Sequence, residues 1–408
     1  MYLLNWRNPA VKRGGKVVQQ TINFPGTYDG LDVEQLGAAT RLESALIINT
    51  TGLVRIRGSS IKTNGTGLFD ISAAGRQVLY ENSILEGATP PGTDSWGRLI
   101  DGYRFALLGL VKCDFVNHGG VKMANAGWAG GTYFVEECRS LNVISAKGDG
   151  AGGLAGPAAG DVNCNTAAGG WKQAVQFTGL NAPTLCRVKW LEIVNKRGFS
   201  QPGDSISIID SVGASGNPIL VEDFLVDGGY ALWQYSLPVN GDFLSYQASP
   251  LGNRLTYSGT GAMIEGASSG YITRRRGILI ACGNGGMSMY DAAAGTCLND
   301  DNIIVSSGLA PDGTPLMGAR GPGMYRNAPS GSWNNNYVRH SRLVASGGYN
   351  TTTREDTAGS LGSMSGTVPG DSAVTVTLAD EQAQRAAWLA KKRAAGIYPG
   401  SNWMVGSY

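Results

Sequence analysis

The sequence predicts an all-β solenoid of short stacked strands, and three observations carry that expectation. The first is a repeat. The run from Gly109 to Gly120 (G-L-V-K-C-D-F-V-N-H-G-G) returns between Tyr133 and Ile144 (Y-F-V-E-E-C-R-S-L-N-V-I), and a shift of 25 (138 − 113) lays Cys138 on Cys113, Leu141 on Val116 and Asn142 on Asn117. Strand-like runs that recur at such an interval mark coils, each placing its strand on the one before. The second is composition: 61 of 408 residues are Gly, about twice the usual ~7% share, and only 16% are charged against a typical ~25%. The third is local pattern. Short apolar or alternating runs are separated by Gly and Asn, the residues that best tolerate left-handed bends.

The totals also bound the function. Hydrophobic residues make up 42% of the chain, enough for a core, so disorder is not expected. No Gly-X-Y period exists, which excludes collagen. A net charge of +2 gives no electrostatic case for nucleic acid or an anionic membrane as partner. No run of ~18 apolar residues occurs, so no membrane span is expected. The first residues, Met1 to Pro9, hold no charged segment followed by an apolar one, so no secretory signal is read and a cytoplasmic origin is expected. The six cysteines, 113, 138, 164, 186, 282 and 297, show no C-x-x-C spacing. They are expected as buried thiols, with Cys113 and Cys138 stacked between coils. His118 and His340 are the only histidines, so no zinc site is expected, nor any cofactor.

In chain order, residues 1–20 read as an N-terminal arm with Arg7, Lys12, Arg13 and Lys16 around Gly14 and Gly15. Residues 21–345 read as coils. Val54–Ile61 lies on Val78–Leu85 at a shift of 24 (83 − 59), which sets Ser59 on Ser83. Cys186–Val194, Ser205–Ile209, Ile219–Val226, Tyr271–Ile280, Asn302–Val305 and Tyr337–Val344 continue the pattern. Segments 86–100, 147–170, 240–268 and 306–334 are expected as loops, which in solenoids often carry binding. Residues 346–408 read as a strand-and-helix tail for capping or assembly. Val374–Thr377 is expected as a strand and Leu378–Ala395 as a helix. Thr377 is its N-cap, Asp380 the reciprocal partner, and Lys391, Lys392 and Arg393 suit its last turn. Gly396 and Pro399 end it. Such a helix covers the open end of the sheets or meets a neighbouring subunit, with Trp388, Leu389, Tyr398 and Trp403 as anchors.

The segment Ile22, Phe24, Pro25, Gly26, Thr27 and Tyr28 resembles the V-x-F-P-x-G-T-Y entry of pectin-lyase-like parallel β-helix proteins, phage tailspikes among them. It departs from that entry by one residue between Pro25 and Gly26, and the helix that usually precedes it is missing. The resemblance spans roughly residues 20–345 and implies a right-handed parallel β-helix, the hand that parallel crossovers generally take. It also implies a homotrimer located in a virion, with other virion proteins and a bacterial surface polysaccharide as partners.

Enzymes of the fold, by the same resemblance, cut polysaccharides with carboxylates on neighbouring coils. Gly203–Ile208 resembles the polygalacturonase stretch G-D-D-C-I-x-I, with Ser205 in place of its second Asp. Cys282–Met289 resembles C-G-x-G-H-G-I-S-I without its His. Two catalytic positions are therefore lost and that activity is not carried over. A carboxylate pair drawn from Asp204, Asp223, Asp227, Asp300 and Asp301 remains the catalytic candidate. Strand alternation is expected to put Glu222 and Asp223 on opposite faces. Tyr230, Trp233 and Tyr235 are candidates for stacking on sugar rings. Arg274 and Arg276, expected on one face with Arg275 on the other, are candidates for an acidic sugar. The leading expectation is a bacteriophage virion appendage: a spike, fibre or decoration subunit. A polysaccharide hydrolase or lyase, and a cellular adhesin or filament subunit, are the alternatives.

Overall fold

The computed structural model describes residues 16–37, 43–70, 75–87, 98–125, 129–143, 172–195, 202–232, 255–257, 260–282, 286–290, 296–307, 324–326, 331–340, 342–343, 349–350, 354–355, 363–365 and 376–397. The chain winds repeatedly through the same three strands. In coil 1 these are Gln20–Ile22, Gly26–Asp29 and Asp32–Gln35; in coil 2, Ser44–Ile48, Leu53–Arg57 and Ser60–Thr63. Coils 3 to 7 span residues 66–87, 100–118, 121–143, 173–194 and 204–227; coils 8 to 11 span 262–280, 287–306, 324–340 and 354–365. Each strand pairs in parallel with its counterparts in the coils before and after, which builds two eleven-stranded sheets and a third of ten strands. The protein is a right-handed parallel β-helix with a C-terminal helix. Coil 11 lies beyond residue 345, the predicted end of the solenoid. Its strands, Arg354–Glu355 and Ser363–Ser365, are too short to show an alternation in the sequence.

Alternation fills the interior. In Leu53–Arg57, Val54 and Ile56 are buried while Arg55 and Arg57 face out. Register then stacks like on like. One inner file of the second sheet runs Ile56, Tyr80, Leu110, Val135, Val188, Val221, Arg274, Asn299, Trp333. The predicted shifts are found as contacts. Ser83 Oγ accepts from the Ser59 amide at 3.2 Å, Cys138 Sγ from the Cys113 amide at 3.4 Å, and Asn142 Nδ2 donates to Asn117 Oδ1 at 2.9 Å. Cys113, Cys138, Cys186, Cys282 and Cys297 are buried free thiols; Cys164 lies outside the described residues.

Between the second and third sheets each of coils 1 to 10 turns on two residues. The first has positive φ: Gly30, Gly58, Asn82, Lys112, Glu137, Trp190, Asp223, Arg276, Asp301 and Asn335, all between 49° and 64°. Gly and Asn were expected there, yet six of the ten positions carry other residues. A left-handed L-residue costs roughly 1–2 kcal/mol. That cost is offset where the bend amide bonds the next coil, as Glu137 N does to Lys189 O, Asp223 N to Arg275 O and Arg276 N to Asp300 O. The second bend residue points inward, and in several coils its polar side chain caps the amide below: Asn302 Oδ1 accepts from Gly277 N at 2.9 Å and Asn336 Oδ1 from Asn302 N at 3.0 Å.

The tail helix spans Leu378–Ala394, with the predicted capping box between Thr377 and Asp380 and with Gly396 at a φ of 72° just after it. It does not lie over an open end. It lies along the flank of the third sheet, packed against Ile278–Ile280 and Ile303–Ser306. Glu381 meets Ser307 at coil 9 and Lys392 meets Glu192 in coil 6. Three coil steps of ~4.8 Å give about 14 Å, and the eleven residues between those contacts rise about 16 Å at 1.5 Å each. The helix therefore runs along the solenoid axis, back toward the first coils.

Candidate functional site

Two surfaces gather polar side chains. The first is the outer face of the first sheet over coils 4 to 9. Val121, Met123, Val175, Phe177, Ile206 and Ile208 fill the core; the residues between them face the other way. Register aligns Asp101, Lys122, Gln176, Ser207, Met263 and Ser288 in one row, one residue per coil. At its start Lys122 Nζ donates to Tyr103 Oη at 2.6 Å and stands 3.8 Å from Asp101 Oδ1. Farther on, Gln176 is 7% exposed and Ser207 fully buried, yet Gln176 Oε1 and Ser207 Oγ have no hydrogen-bond partner among the described residues, and neither does Thr178 Oγ1 beside them. Buried polar atoms are normally paired, so this row is a run of unused hydrogen-bonding capacity. It was missed in the sequence reading because long insertions between coils 5 and 6 and between coils 7 and 8 hide its period.

The second surface is the seam under the C-terminal helix. Glu381, Arg385, Trp388 and Lys392 recur at helical spacing and form the inner stripe. Trp388 Nε1 and Lys392 Nζ both donate to Glu192 Oε2, at 2.9 and 2.8 Å. Arg385 clamps Asp227 with two bonds of 2.6 and 2.7 Å, and Glu381 Oε1 accepts from the Ser307 amide and hydroxyl, both at 2.8 Å. Lys391 Nζ reaches Asp223 Oδ1 at 3.0 Å and the Arg276 carbonyl at 2.8 Å, and lies over the rings of Trp190 and Trp388.

The five candidate carboxylates are not brought together. Asp204 opens the coil 7 strand of the first sheet, buried, with Oδ1 accepting from the Thr260 amide at 2.7 Å. Burial pushes its carboxyl up to about 7, against the pull of Thr260. Asp223 lies in the bend before the coil 7 strand of the third sheet and Asp227 ends that strand, and both face the helix. Burial acts to raise Asp223, but Arg276 and Lys391 outweigh it and hold the carboxyl below its ordinary value. Asp300 ends a second-sheet strand beside Arg275, and Asp301 occupies the left-handed bend after it.

Two orientations differ from expectation. Glu222 and Asp223 do not oppose each other: Arg276 Nη2 donates to both, at 2.6 and 2.8 Å. Arg275 and Arg276 share the outside and Arg274 alone points in. The cause is the same in both cases. Asp223 and Arg276 are bend residues with φ of 50° and 54°, and the bend breaks the two-residue alternation. Arg274 is fully buried, giving Nε to Asn299 Oδ1 at 2.7 Å and Nη1 to the carbonyls of Ala262 and Ser288 at 2.6 and 3.0 Å. Burial lowers it to about 9. It is part of the interior and does not face a sugar.

Tyr230 lies on a strand, Tyr230–Leu232, that pairs antiparallel with Leu255–Tyr257 between coils 7 and 8. Trp233, Tyr235, Tyr398 and Trp403 lie outside the described residues. Trp388 is buried against the flank and Leu389 is half-buried beside it. Among the described residues no cluster of His, Cys, Asp and Glu could hold a metal ion, and no helix is long and apolar enough to cross a membrane. Comparisons with protein-family models, curated proteins and solved structures found no match.

Proposed function

We propose that this chain is a rigid appendage subunit of a bacteriophage particle that binds a bacterial surface polysaccharide along the outer face of its first sheet. The observation that supports this most is the row Lys122, Gln176, Ser207 and Ser288, which sets a polar side chain in coils 5, 6, 7 and 9 in strand register at multiples of ~4.8 Å, with Met263 in coil 8; Lys122 and Gln176 are its accessible members. Such a ladder suits a polymer that presents hydroxyls at a regular rise. Stacked coils also make a stiff support, because the strands of each are hydrogen-bonded to those of its neighbours. The test is a panel of purified capsules and O-antigens, with binding measured by surface plasmon resonance and product size by chromatography. Saturable binding of one polymer that stays intact supports the proposal; absence of binding to every polymer, with folded protein, counts against it.

Polysaccharide cleavage is the second reading, and Asp204 favours it. Its buried carboxyl, raised to about 7, has the proton affinity of a general acid. Shortened product that disappears in Asp204→Asn, with binding retained, would select this reading over the first.

A further inference from the structure

The seam beneath the C-terminal helix is built from charges, and among the described residues two of its buried acids, Asp227 and Glu381, draw on one guanidinium, that of Arg385. Glu192, Asp227 and Glu381 are buried there with two cations, Arg385 and Lys392. Arg385 is shared: its guanidinium clamps Asp227 and lies 3.5 Å from Glu381 Oε2. Glu381 has no exposed surface, and its other oxygen is already held by Ser307. We propose that the helix is a proton-tightened latch: Glu381 docks most firmly when it carries a proton, and its ionisation loosens the helix from coils 6 to 9.

The groups facing Glu381 favour this from both sides. From the third sheet come the Asp227 carboxylate and the Cys282 thiol, with the Ser307 hydroxyl and amide; from the helix itself comes Arg385. Cys282 is pushed up by burial and then by Asp227 and Glu381, so it stays a neutral thiol across the relevant range. Burial raises Glu381 to about 7, with Asp227 adding to the rise and Ser307 and Arg385 opposing it. Farther along the seam, Lys391 and Arg276 pair with Asp223, and Lys392 pairs with Glu192. The sign follows. A carboxyl with a higher proton affinity when docked stabilises docking at low pH, and the contribution is lost as pH rises through about 7. Loosening uncovers Ile278, Ile280 and Val305, an apolar strip that is buried in the docked state.

The test is amide hydrogen exchange of the full chain by mass spectrometry, corrected for the intrinsic pH dependence. The opening constant of the 378–394 peptides is expected to rise about tenfold between pH 6 and pH 8.5, while the 204–209 strand is unchanged. Glu381→Gln, which keeps the acceptor for Ser307, is expected to flatten that rise. Asp227→Asn leaves Arg385 to Glu381 alone and is expected to move the loosening to lower pH. This second variant carries the test if Glu381→Gln frees the helix altogether. A pH-independent helix, an unchanged rise in Glu381→Gln, or an unmoved midpoint in Asp227→Asn would each overturn the proposal.

Discussion

The ring of Phe224 occupies the space that a side chain at Gly277 would need: a Cβ built on Gly277 falls 2.2 Å from Phe224 Cζ. Both residues are the inward members of their bends, one coil apart, so a large residue and a small one share the same layer. Gly277→Ala is therefore expected to destabilise by about 1–3 kcal/mol through overpacking. In the background of Phe224→Ala the same change is expected to cost little. A double-mutant cycle by urea denaturation reads the coupling, and additive effects would show that the two sites do not share space.

The buried pair under the helix makes a second case. Lys392→Met leaves Glu192 buried without its cation, a change that typically costs about 3–5 kcal/mol. Because the helix docks on a finished sheet, the loss is expected in the helix alone: faster exchange of amides 378–394 and unchanged protection of Glu192–Val194. Replacing both partners, Glu192→Leu with Lys392→Leu, is expected to restore most of the protection.

His118 predicts an acid limit. It is fully buried, its Nε2 stands 2.8 Å from Ser140 Oγ, and burial lowers its pKa to about 3. In the unfolded chain the imidazole takes its proton near 6.5, so stability is complete above that value and is lost as pH falls toward 3. By pH 5 the loss is about 2 kcal/mol. His118→Gln is expected to remove this slope in urea midpoints measured from pH 7.5 to 5. Asp204 and Glu381, whose raised carboxyls act in the opposite direction, are common to both proteins, so the difference between the curves isolates His118.

The polar row makes a prediction about binding without stability. Lys122→Met is expected to weaken polysaccharide binding about tenfold, the value of one charge-assisted hydrogen bond. Gln176→Ala, at the next accessible member of the row, is expected to weaken it less and to leave the thermal midpoint in place. Equal affinity in both variants, with folded protein, would remove the row from the binding face.

Much of this architecture is legible in the sequence because the coils that lack insertions keep their period. Cys113 and Cys138, Asn117 and Asn142, and Ser59 and Ser83 stack where a shift of 24 or 25 places them. The capping box of Thr377 is also local, and so readable. What is not readable is of two kinds. Trp190, Asp223 and Arg276 hold left-handed bends without the Gly or Asn that announces one, so the alternation through Arg274, Arg275 and Arg276 breaks unseen. The seam joins residues as far apart as Glu192 and Lys392, 200 positions along the chain, and no local pattern pairs them. The stripe Glu381, Arg385, Trp388 and Lys392 does have helical spacing, but a charged stripe reads as a solvated face until the carboxylates opposite it are known.

The helix along the flank also changes how the rod bears load. Tension along the long axis passes from coil to coil in series through the interstrand hydrogen bonds, so the weakest junction sets the breaking force. From coil 6 to coil 9 the helix runs beside those junctions and is tied at both ends, by Lys392 to Glu192 and by Glu381 to Ser307. It acts there as a second strand of cable in parallel with the first. Rupture under pulling is thereby directed away from these coils and toward the stretches on either side.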